Sequence, residues 1–353
     1  MTSRIHLIGL GSIGTLIAHS LRSLPAPPPI TLLLHRESAY RDFLSGGSKL
    51  RLQIGEEGPT QESTGYDSEL LQLQDHSEES PIHHLIVAVK ASATIPALKS
   101  IQHRLGQHSV ICLFQNGLGQ IEELNEHLFP DPLTRPTYMF GIMRHGVYIK
   151  APFEAVLAGL TGSCALGIVD DGQQESSSLT VSSPSSSSTA STQSQFLSNR
   201  LVEAPIIRCS ALPWTELHQA QLLKLATNCV VNPLTALLDV RNGSLLANSE
   251  LQEMQRQLLQ EISLVFRRLP ELQGRPDVQE LFSVASLEEQ LIGNIEKTAS
   301  NSSSMREDVR AGRATEIAFI NGWIVRRGQE LGLDCPTNRC LTQLILAKSR
   351  QGR

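Results

Sequence analysis

A glycine-rich turn near the N-terminus constrains the fold of this chain more than any other feature. The apolar run at residues 4–8, RIHLI, leads directly into GLGSIG, and the helical pattern TLIAHSLRSL follows. A strand, a GxGxxG turn and a helix in this order are typical of a Rossmann-type dinucleotide-binding domain. Gly9 permits the tight turn, Gly11 lets the backbone approach a pyrophosphate, and Gly14 allows the helix to pack closely on the strand.

The next predicted strand, Ile30–Leu34, indicates which dinucleotide is bound. It is followed by His35 and Arg36, where an enzyme that uses NAD would be expected to carry an acidic residue for the ribose hydroxyl. A planar guanidinium suits a 2′-phosphate instead, so the sequence favours NADP(H) over NAD(H). A solvated surface arginine is the alternative interpretation of Arg36.

Two later strands also end in polar residues. HLIVAV ends at Lys90, and SVICLF is followed by Gln115 and then Asn116-Gly117, which could be only a turn. Ligands bind beyond the carboxyl ends of parallel strands, so both polar residues are candidates for the cofactor site. The predicted cofactor-binding residues are Gly9, Leu10, Gly11, Ser12, Ile13, Gly14, Arg36, Lys90 and Asn116.

A polar stripe marks the helical second half of the chain. In LLKLATNCVVNPLT, Lys224, Asn228 and Asn232 recur every four residues within an apolar run and fall on one face of a helix. Buried ammonium and amide groups need polar partners, so this face indicates a site, although a lysine paired within the core is the alternative. We expect Pro233 to end or kink the helix.

A carboxylate in the C-terminal region needs a cationic partner. Glu316 stands among apolar neighbours in a stretch, residues 301–327, that is predicted to be one helix capped by a serine cluster. Lys224 is the natural candidate for that partner, and Arg310 or Arg313 could serve instead. The sequence alone does not choose among them.

Composition excludes several classes of protein. Thirty basic and thirty-five acidic residues give a net charge of -5 without a basic cluster, so nucleic acid and anionic membranes are unlikely partners. No apolar run is long enough to span a membrane, and the N-terminus lacks a signal or transit pattern, so a cytoplasmic location is expected. The six cysteines show no CxxC spacing, which indicates reduced core thiols and no metal site.

The chain is predicted to form two domains of an α/β protein. Residues 1–210 are interpreted as an NADP-binding Rossmann domain, and residues 211–353 as an all-helical domain that binds substrate and carries the catalytic residues. Strand-like segments at residues 136–143, 146–150 and 165–169 are expected to extend the same sheet. The stretch at residues 56–69 is predicted to be polar loop, and the serine-rich insert at about 170–196 a disordered loop.

Taken together, these motifs resemble the ketopantoate reductase (2-dehydropantoate 2-reductase) family. The resemblance rests on GLGSIG, the Lys-Ala at Lys90, QNGLGQIEEL, KLATNCVVNPLTAL and SSMREDVRAGRATEIAFINGWIV, which span nearly the whole chain. It implies that Lys224 is the catalytic lysine and general acid and that Glu316 is the carboxylate that binds and orients substrate. It implies a substrate-binding role for Asn228, Asn232 and Ser304, and a cofactor-side role for Asn116 and Lys90. Asn116 is also predicted to bind substrate.

The function implied is NADPH-dependent reduction of ketopantoate to (R)-pantoate for pantothenate and coenzyme A synthesis. A reductase of another 2-oxo acid is the first alternative, because the region from residue 137 to 162 matches the family poorly. A non-catalytic NADP-binding sensor or scaffold is the second. The expected partner is a small 2-oxo acid, with the protein a monomer or a homodimer.

Overall fold

A computed structural model describes residues 3–71, 80–159, 161–170 and 185–351. It divides the chain into two compact units. The first contains Met1–Gln115 and Ile121–Leu217, and the second contains Asn116–Gln120 and His218–Arg353. Among the described residues, no helix is both long enough and apolar enough to cross a membrane.

The first unit is built on a sheet of eight strands within the described residues. In chain order these strands are β1 (Ile5–Ile8), β2 (Ile30–Leu34), β5 (Asp67–Leu70), β6 (His84–Val87), β7 (Val110–Leu113), β8 (Thr137–Met143), β11 (Cys164–Ile168) and β12 (Cys209–Ala211). Their spatial order is β12-β11-β8-β7-β6-β1-β2-β5. All neighbours are parallel except the antiparallel pair β8 and β11. This parallel sheet with its helices confirms the predicted Rossmann-type fold.

The strand order reverses at β1, which lies between β2 and β6. From β1 the chain proceeds outward through β2 and β5 on one side and through β6, β7 and β8 on the other. Ligands of open α/β sheets bind beyond the carboxyl ends of the strands at such a switch point. The glycine turn after β1 and the loop after β6 that carries Lys90 therefore occupy the position expected of a dinucleotide site.

A second, four-stranded sheet belongs to the same unit, in the order β4-β3-β10-β9. Its strands are β3 (Leu50–Ile54), β4 (Thr60–Ser63), β9 (Val147–Ala151) and β10 (Glu154–Leu157). The expectation that residues 146–150 extend the first sheet is wrong, because β9 pairs with β10 here. The polar stretch at residues 56–69 also contains two strands, β4 and β5. Both are edge strands held by backbone pairing, β4 mostly exposed and β5 mostly half-buried, and they lack the apolar alternation by which a strand is predicted.

Where the structure describes the chain, five helices accompany these sheets: α1 (Ser12–Arg22), α2 (Glu37–Ser45), α3 (Thr94–Lys99), α4 (Gln120–His127) and α5 (Ser185–Glu203). Helix α5 corrects the prediction of a disordered loop to residue 196. Residues 171–184 of the serine-rich insert lie outside the described residues, but the insert is helical from Ser185 onward. Leu197 and Leu201, one turn apart, are fully buried in the core of the first unit, and this apolar stripe accounts for the helix.

Within the described residues, all regular secondary structure of the second unit is helical, as predicted. Helix α6 (Trp214–Leu238) enters it from the first unit, and α7 (Ser249–Phe266), α8 (Val278–Leu281), α9 (Val284–Lys297), α10 (Ser304–Arg310), α11 (Asn321–Glu330) and α12 (Pro336–Gln351) follow. The core contains apolar side chains from these helices, including Leu258, Phe266 and Ile345.

Two local predictions in the second unit are corrected. Pro233 was expected to end or kink α6, and the first of these outcomes is wrong, because the helix continues through Pro233 to Leu238. The stretch from 301 to 327 is not one helix: it contains α10, a single 3₁₀ turn at Ile317–Phe319, and the beginning of α11. Glu316 therefore lies immediately before the 3₁₀ turn and not within a helix.

Candidate active site

The glycine turn of the first unit has the geometry that a dinucleotide requires. Gly9 has a φ of 101°, and a Cβ on it would lie 2.5 Å from the backbone nitrogen of Val89. A Cβ on Gly14 would lie 1.9 Å from the carbonyl oxygen of Gly9. Side chains are thus excluded at both positions, by the loop after β6 at the first and by packing of α1 on the turn at the second.

Gly11 differs from these two glycines. It is exposed, and a Cβ built on it would meet no atom of the described chain within 4 Å. Gly11 is also the N-cap of α1, and no described side chain caps that helix terminus. The start of α1 therefore has no side-chain cap and open space beside Gly11, as a bound pyrophosphate requires. The residues present fit a dinucleotide phosphate.

Polar residues stand at the ends of the strands on either side of β1. Arg36 is exposed and forms the N-cap of α2, immediately beyond β2. Lys90 is half-buried and begins the 3₁₀ turn after β6. Gln115 stabilises that loop, because its Nε2 donates to the carbonyl oxygen of Val89 at 3.0 Å and to Thr94 Oγ1 at 2.5 Å. The first unit thus holds Lys90 on a braced loop and leaves Arg36 accessible to solvent.

In the second unit, the predicted stripe lies on one face of α6. Lys224 and Asn228 are half-buried, whereas Asn232 is buried. The helix runs unbroken through all three positions, so their four-residue spacing places them in one row.

The amide of Asn116 bridges the two charged residues of the site. Its Oδ1 accepts a hydrogen bond from Lys224 Nζ at 3.1 Å, and its Nδ2 donates to Glu316 Oε2 at 3.1 Å. Asn116 belongs to the second unit by its contacts, although it follows β7 in the chain. A polarised amide between an ammonium and a carboxylate orients both groups without neutralising either one.

Backbone contacts hold Asn116 in place. The N–H of Leu118 donates to the carbonyl oxygen of Phe319 at 2.8 Å, and Gln120 Nε2 donates to the carbonyl oxygen of Asn116 at 3.0 Å. Gly117 has a φ of 80°, and a Cβ there would lie 2.3 Å from the Phe319 oxygen. The glycine therefore permits the close approach that brings Asn116 to Glu316.

The two alternative partners of Glu316 are bound elsewhere. Arg310 donates to both carboxylate oxygens of Asp239, at 2.7 and 3.2 Å. Arg313 Nε donates to Asp308 Oδ1 at 3.1 Å. Of the three cations considered from the sequence, Lys224 is the one that shares Asn116 with Glu316. Glu316 is 5% exposed, so this contact lies in a largely desolvated environment.

The serine cluster caps α10, as predicted. The capping residue is Ser303, whose Oγ accepts from the backbone N–H of Arg306 at 3.1 Å. Ser304 is the first residue of the helix and is exposed. The neighbouring serines thus differ in role, because Ser303 is buried as a cap while the hydroxyl of Ser304 remains accessible.

Sequence reasoning missed a buried polar network beside this site. Asn321 Nδ2 donates to the carbonyl oxygen of Cys229 at 2.8 Å and to Asn338 Oδ1 at 2.9 Å. Asn338 Nδ2 donates in turn to Glu261 Oε2 at 2.8 Å. Two features of the sequence could have indicated this network. Asn321 follows a run of apolar residues, and Pro233 lies within the helical segment that carries the polar stripe.

Both halves of the chain match one protein family. Residues 5–171 match the family described as Ketopantoate reductase PanE/ApbA, and residues 216–349 match Ketopantoate reductase PanE/ApbA C terminal. The chain is 29% identical to the "Probable 2-dehydropantoate 2-reductase" of Schizosaccharomyces pombe, over 100% of this chain and 97% of that protein. It is 27% identical to "Ketoisovalerate reductase BEA2" of Gibberella fujikuroi, over 97% of this chain and 82% of that protein.

The fold is similar to that of a solved relative. The crystal structure of the "Probable 2-dehydropantoate 2-reductase panE" of Bacillus subtilis superposes with a TM-score of 0.70 at 25% identity, covering 98% of this chain and 99% of that one.

Proposed function

The chain belongs to the ketopantoate reductase family of oxidoreductases, and we propose that it reduces ketopantoate to (R)-pantoate with NADPH. The observation that carries this proposal is the bridge that Asn116 forms between Lys224 and Glu316. Several curated relatives named 2-dehydropantoate 2-reductase support the choice of substrate.

The reaction needs an acid where negative charge develops. Bound NADPH would supply a hydride to the C2 carbonyl carbon, and the carbonyl electron pair then moves to oxygen. The ammonium of Lys224 polarises this oxygen and gives it a proton, which yields the 2-hydroxy acid. Such general-acid assistance typically contributes roughly 100- to 10,000-fold in rate. The hydrogen bond to Asn116 orients the lysine for this transfer.

The remaining polar residues would bind substrate. Glu316 would keep Lys224 charged and accept a hydrogen bond from the primary hydroxyl of ketopantoate. Asn228 and Asn232 offer amide groups on the lysine face of α6, and the exposed hydroxyl of Ser304 can donate to the substrate carboxylate. A 2-oxo acid with a hydroxyl on its side chain can donate a hydrogen bond to the carboxylate of Glu316, whereas one with a hydrocarbon side chain cannot.

Cofactor binding is assigned to the first unit. The glycine turn and the N-terminus of α1 would hold the pyrophosphate, and Lys90 lies on the adjacent loop. Arg36 would bind the 2′-phosphate, which favours NADPH over NADH. We assign residues 1–210 to cofactor binding and residues 211–353, together with Asn116, to substrate binding and catalysis, in a cytoplasmic monomer or homodimer.

A second candidate retains the chemistry and changes the substrate. The similarity to a ketoisovalerate reductase over 97% of this chain favours a branched 2-oxo acid without the hydroxyl. A non-catalytic sensor is not supported, since the chain retains Lys224, Asn116 and Glu316 in contact.

Loss of NADPH absorbance with purified protein tests the proposal. The assay would compare ketopantoate, ketoisovalerate and other 2-oxo acids, each with NADPH and with NADH. Lys224→Ala should abolish turnover while NADPH still binds. Lys348→Ala is the matched control, because that lysine lies in the same unit and donates only to the backbone of Leu237 among the described contacts. A Lys224→Ala enzyme with a near-normal rate would disprove the mechanism.

A further inference from the structure

Helix α6 contains a proline in the middle of the segment that carries the polar stripe. In an α-helix each N–H donates to the carbonyl four residues earlier, so Pro233 leaves the carbonyl of Cys229 without its helical partner. Cys229 is fully buried, and an unpaired buried carbonyl is destabilising. Asn321 Nδ2 supplies the missing hydrogen bond at 2.8 Å.

The amide of Asn321 is fixed in this orientation. Asn321 is 0% exposed, and its nitrogen also donates to Asn338 Oδ1 at 2.9 Å. Glu261 holds Asn338, because its Oε2 accepts from the backbone and side-chain nitrogens of Asn338 at 3.0 and 2.8 Å. Glu261 Oε1 also accepts from the N–H of Thr337 in the first turn of α12. A flipped amide would face these acceptors with its oxygen, so only one orientation satisfies them.

Asn321 and Glu316 flank the same 3₁₀ turn, Ile317–Phe319, and Cys229 directly follows Asn228 on α6. The segment from Glu316 to Asn321 is therefore joined to α6 at two points. Asn116 makes the first connection, through Lys224 and Glu316, and Asn321 makes the second, through the Cys229 carbonyl. Two separated connections fix an orientation that one alone leaves free.

We propose that Asn321 is a positioning residue for the reductase reaction: by bonding the carbonyl that Pro233 leaves open, it sets Lys224 and Asn228 relative to Glu316. Asn321 acts through the backbone of α6 and touches no reactant. Its kinetic consequence rests on the proposed function.

Replacing Pro233 provides a direct test of the positioning role of Asn321. Asn321→Ala should lower kcat by roughly 10- to 100-fold, the loss expected when a catalytic group is misplaced by about 1 Å. The KM for NADPH should stay unchanged, because the glycine turn belongs to the other unit. In the double variant Pro233→Ala/Asn321→Ala, the N–H of residue 233 again reaches the Cys229 carbonyl within the helix. It should recover most of the lost kcat, which independent effects would not do.

Ser263→Ala is the matched control for loss of stability. Ser263 is buried in the same unit, and its Oγ donates to the carbonyl oxygen of Phe282 at 2.6 Å, which belongs to neither connection. This variant should lower the melting temperature and leave kcat unchanged. If Asn321→Ala behaves like Ser263→Ala, or if the double variant is no faster than Asn321→Ala, the proposal is overturned.

A second readout separates this proposal from the proposed function. Trace acetylation with acetic anhydride, followed by peptide mass spectrometry, reports the reactivity of the Lys224 amine against pH without requiring turnover. The profile should change in Asn321→Ala and return in the double variant. If the wild-type protein reduces none of the 2-oxo acids, the proposed function fails, but the acetylation profiles still decide the positioning role. Identical profiles in all variants would overturn it.

Discussion

The hydroxyl oxygens of Thr235 and Ser303 lie 2.7 Å apart in the buried part of the helical unit. Thr235 lies on α6, and its Oγ1 donates to the carbonyl oxygen of Val231 at 2.6 Å. Ser303 then donates to Thr235 and accepts from the N–H of Arg306. This pair joins the helix that carries Lys224 to the cap of the helix that begins with Ser304.

Replacing Thr235 with valine should destabilise the protein. The change keeps the shape of the side chain but leaves the Ser303 hydroxyl buried without an acceptor, which costs about 1–3 kcal/mol. Thr235→Ser keeps the hydroxyl and should cost less. Thermal melting of the two variants checks this prediction, and a Thr235→Val protein as stable as the serine variant would contradict it.

Asn116→Asp should make the kcat of the reductase increase at acidic pH. The new carboxylate would lie next to Glu316, and two adjacent carboxylates raise the pKa of one of them. Only a protonated pair can restore the donor that Asn116 Nδ2 provides. We therefore expect kcat to rise as pH falls below neutrality, whereas Asn116→Ala should be slower at every pH. A pH profile of Asn116→Asp parallel to that of the wild type would disprove the bridging role.

Arg36→Asp should shift cofactor preference towards NADH. Loss of the guanidinium removes the proposed partner of the 2′-phosphate, and the carboxylate can accept from the ribose hydroxyl. The ratio of kcat/KM for NADPH and NADH measures the shift. Arg41→Gln is the control, because Arg41 is another exposed arginine of α2 and is ion-paired with Glu37. Equal ratios in Arg36→Asp and wild type would remove Arg36 from the site.

Alanine at Gly11 should weaken cofactor binding, whereas alanine at Gly14 should lower stability. Gly11→Ala places its Cβ in open space, so the protein should fold normally but bind NADPH weakly. Gly14→Ala forces its Cβ against the Gly9 carbonyl and should lower the melting temperature even without cofactor. Melting curves with and without NADPH distinguish the two outcomes. Normal NADPH stabilisation of Gly11→Ala would show that the phosphates bind elsewhere.

The first unit should lose stability in mild acid because of His6. Burial, and then the charges of Arg104 and Arg4, lower the pKa of His6 from 6.5 to about 4. The unfolded chain therefore binds a proton between these pH values that the folded chain does not. Above about pH 6.5 His6 is neutral in both states and the free energy of unfolding does not depend on its protonation. As pH falls from 6.5 through 4, the free energy of unfolding decreases by about 3 kcal/mol. The melting temperature of His6→Asn should fall less steeply over this range than that of the exposed-site control His108→Asn.

Local patterns determined much of this protein. The glycine fingerprint, the apolar strand before it and the helical period after it involve neighbouring residues only, so the Rossmann-type fold follows from the sequence. The four-residue spacing likewise places Lys224, Asn228 and Asn232 on one face of α6. Such spacings specify a face of an element but not what that face contacts.

Tertiary structure decided which groups meet. Glu316 had three candidate cations in the sequence, and only folding brings Asn116 between it and Lys224, across separations of 200 and 108 residues. Strand β9 pairs with β10 in the second sheet, and its own apolar pattern does not indicate which sheet it joins.

Pro233 shows the physical reason for this division. Its missing N–H predicts the end of a helix when only α6 is considered. The helix nevertheless continues to Leu238, and Asn321, distant in the chain, supplies a hydrogen bond to the carbonyl of Cys229 that Pro233 cannot make. The sequence by itself determined where each element and each reactive group lies, and long-range hydrogen bonds and packing decided which of those groups form one site.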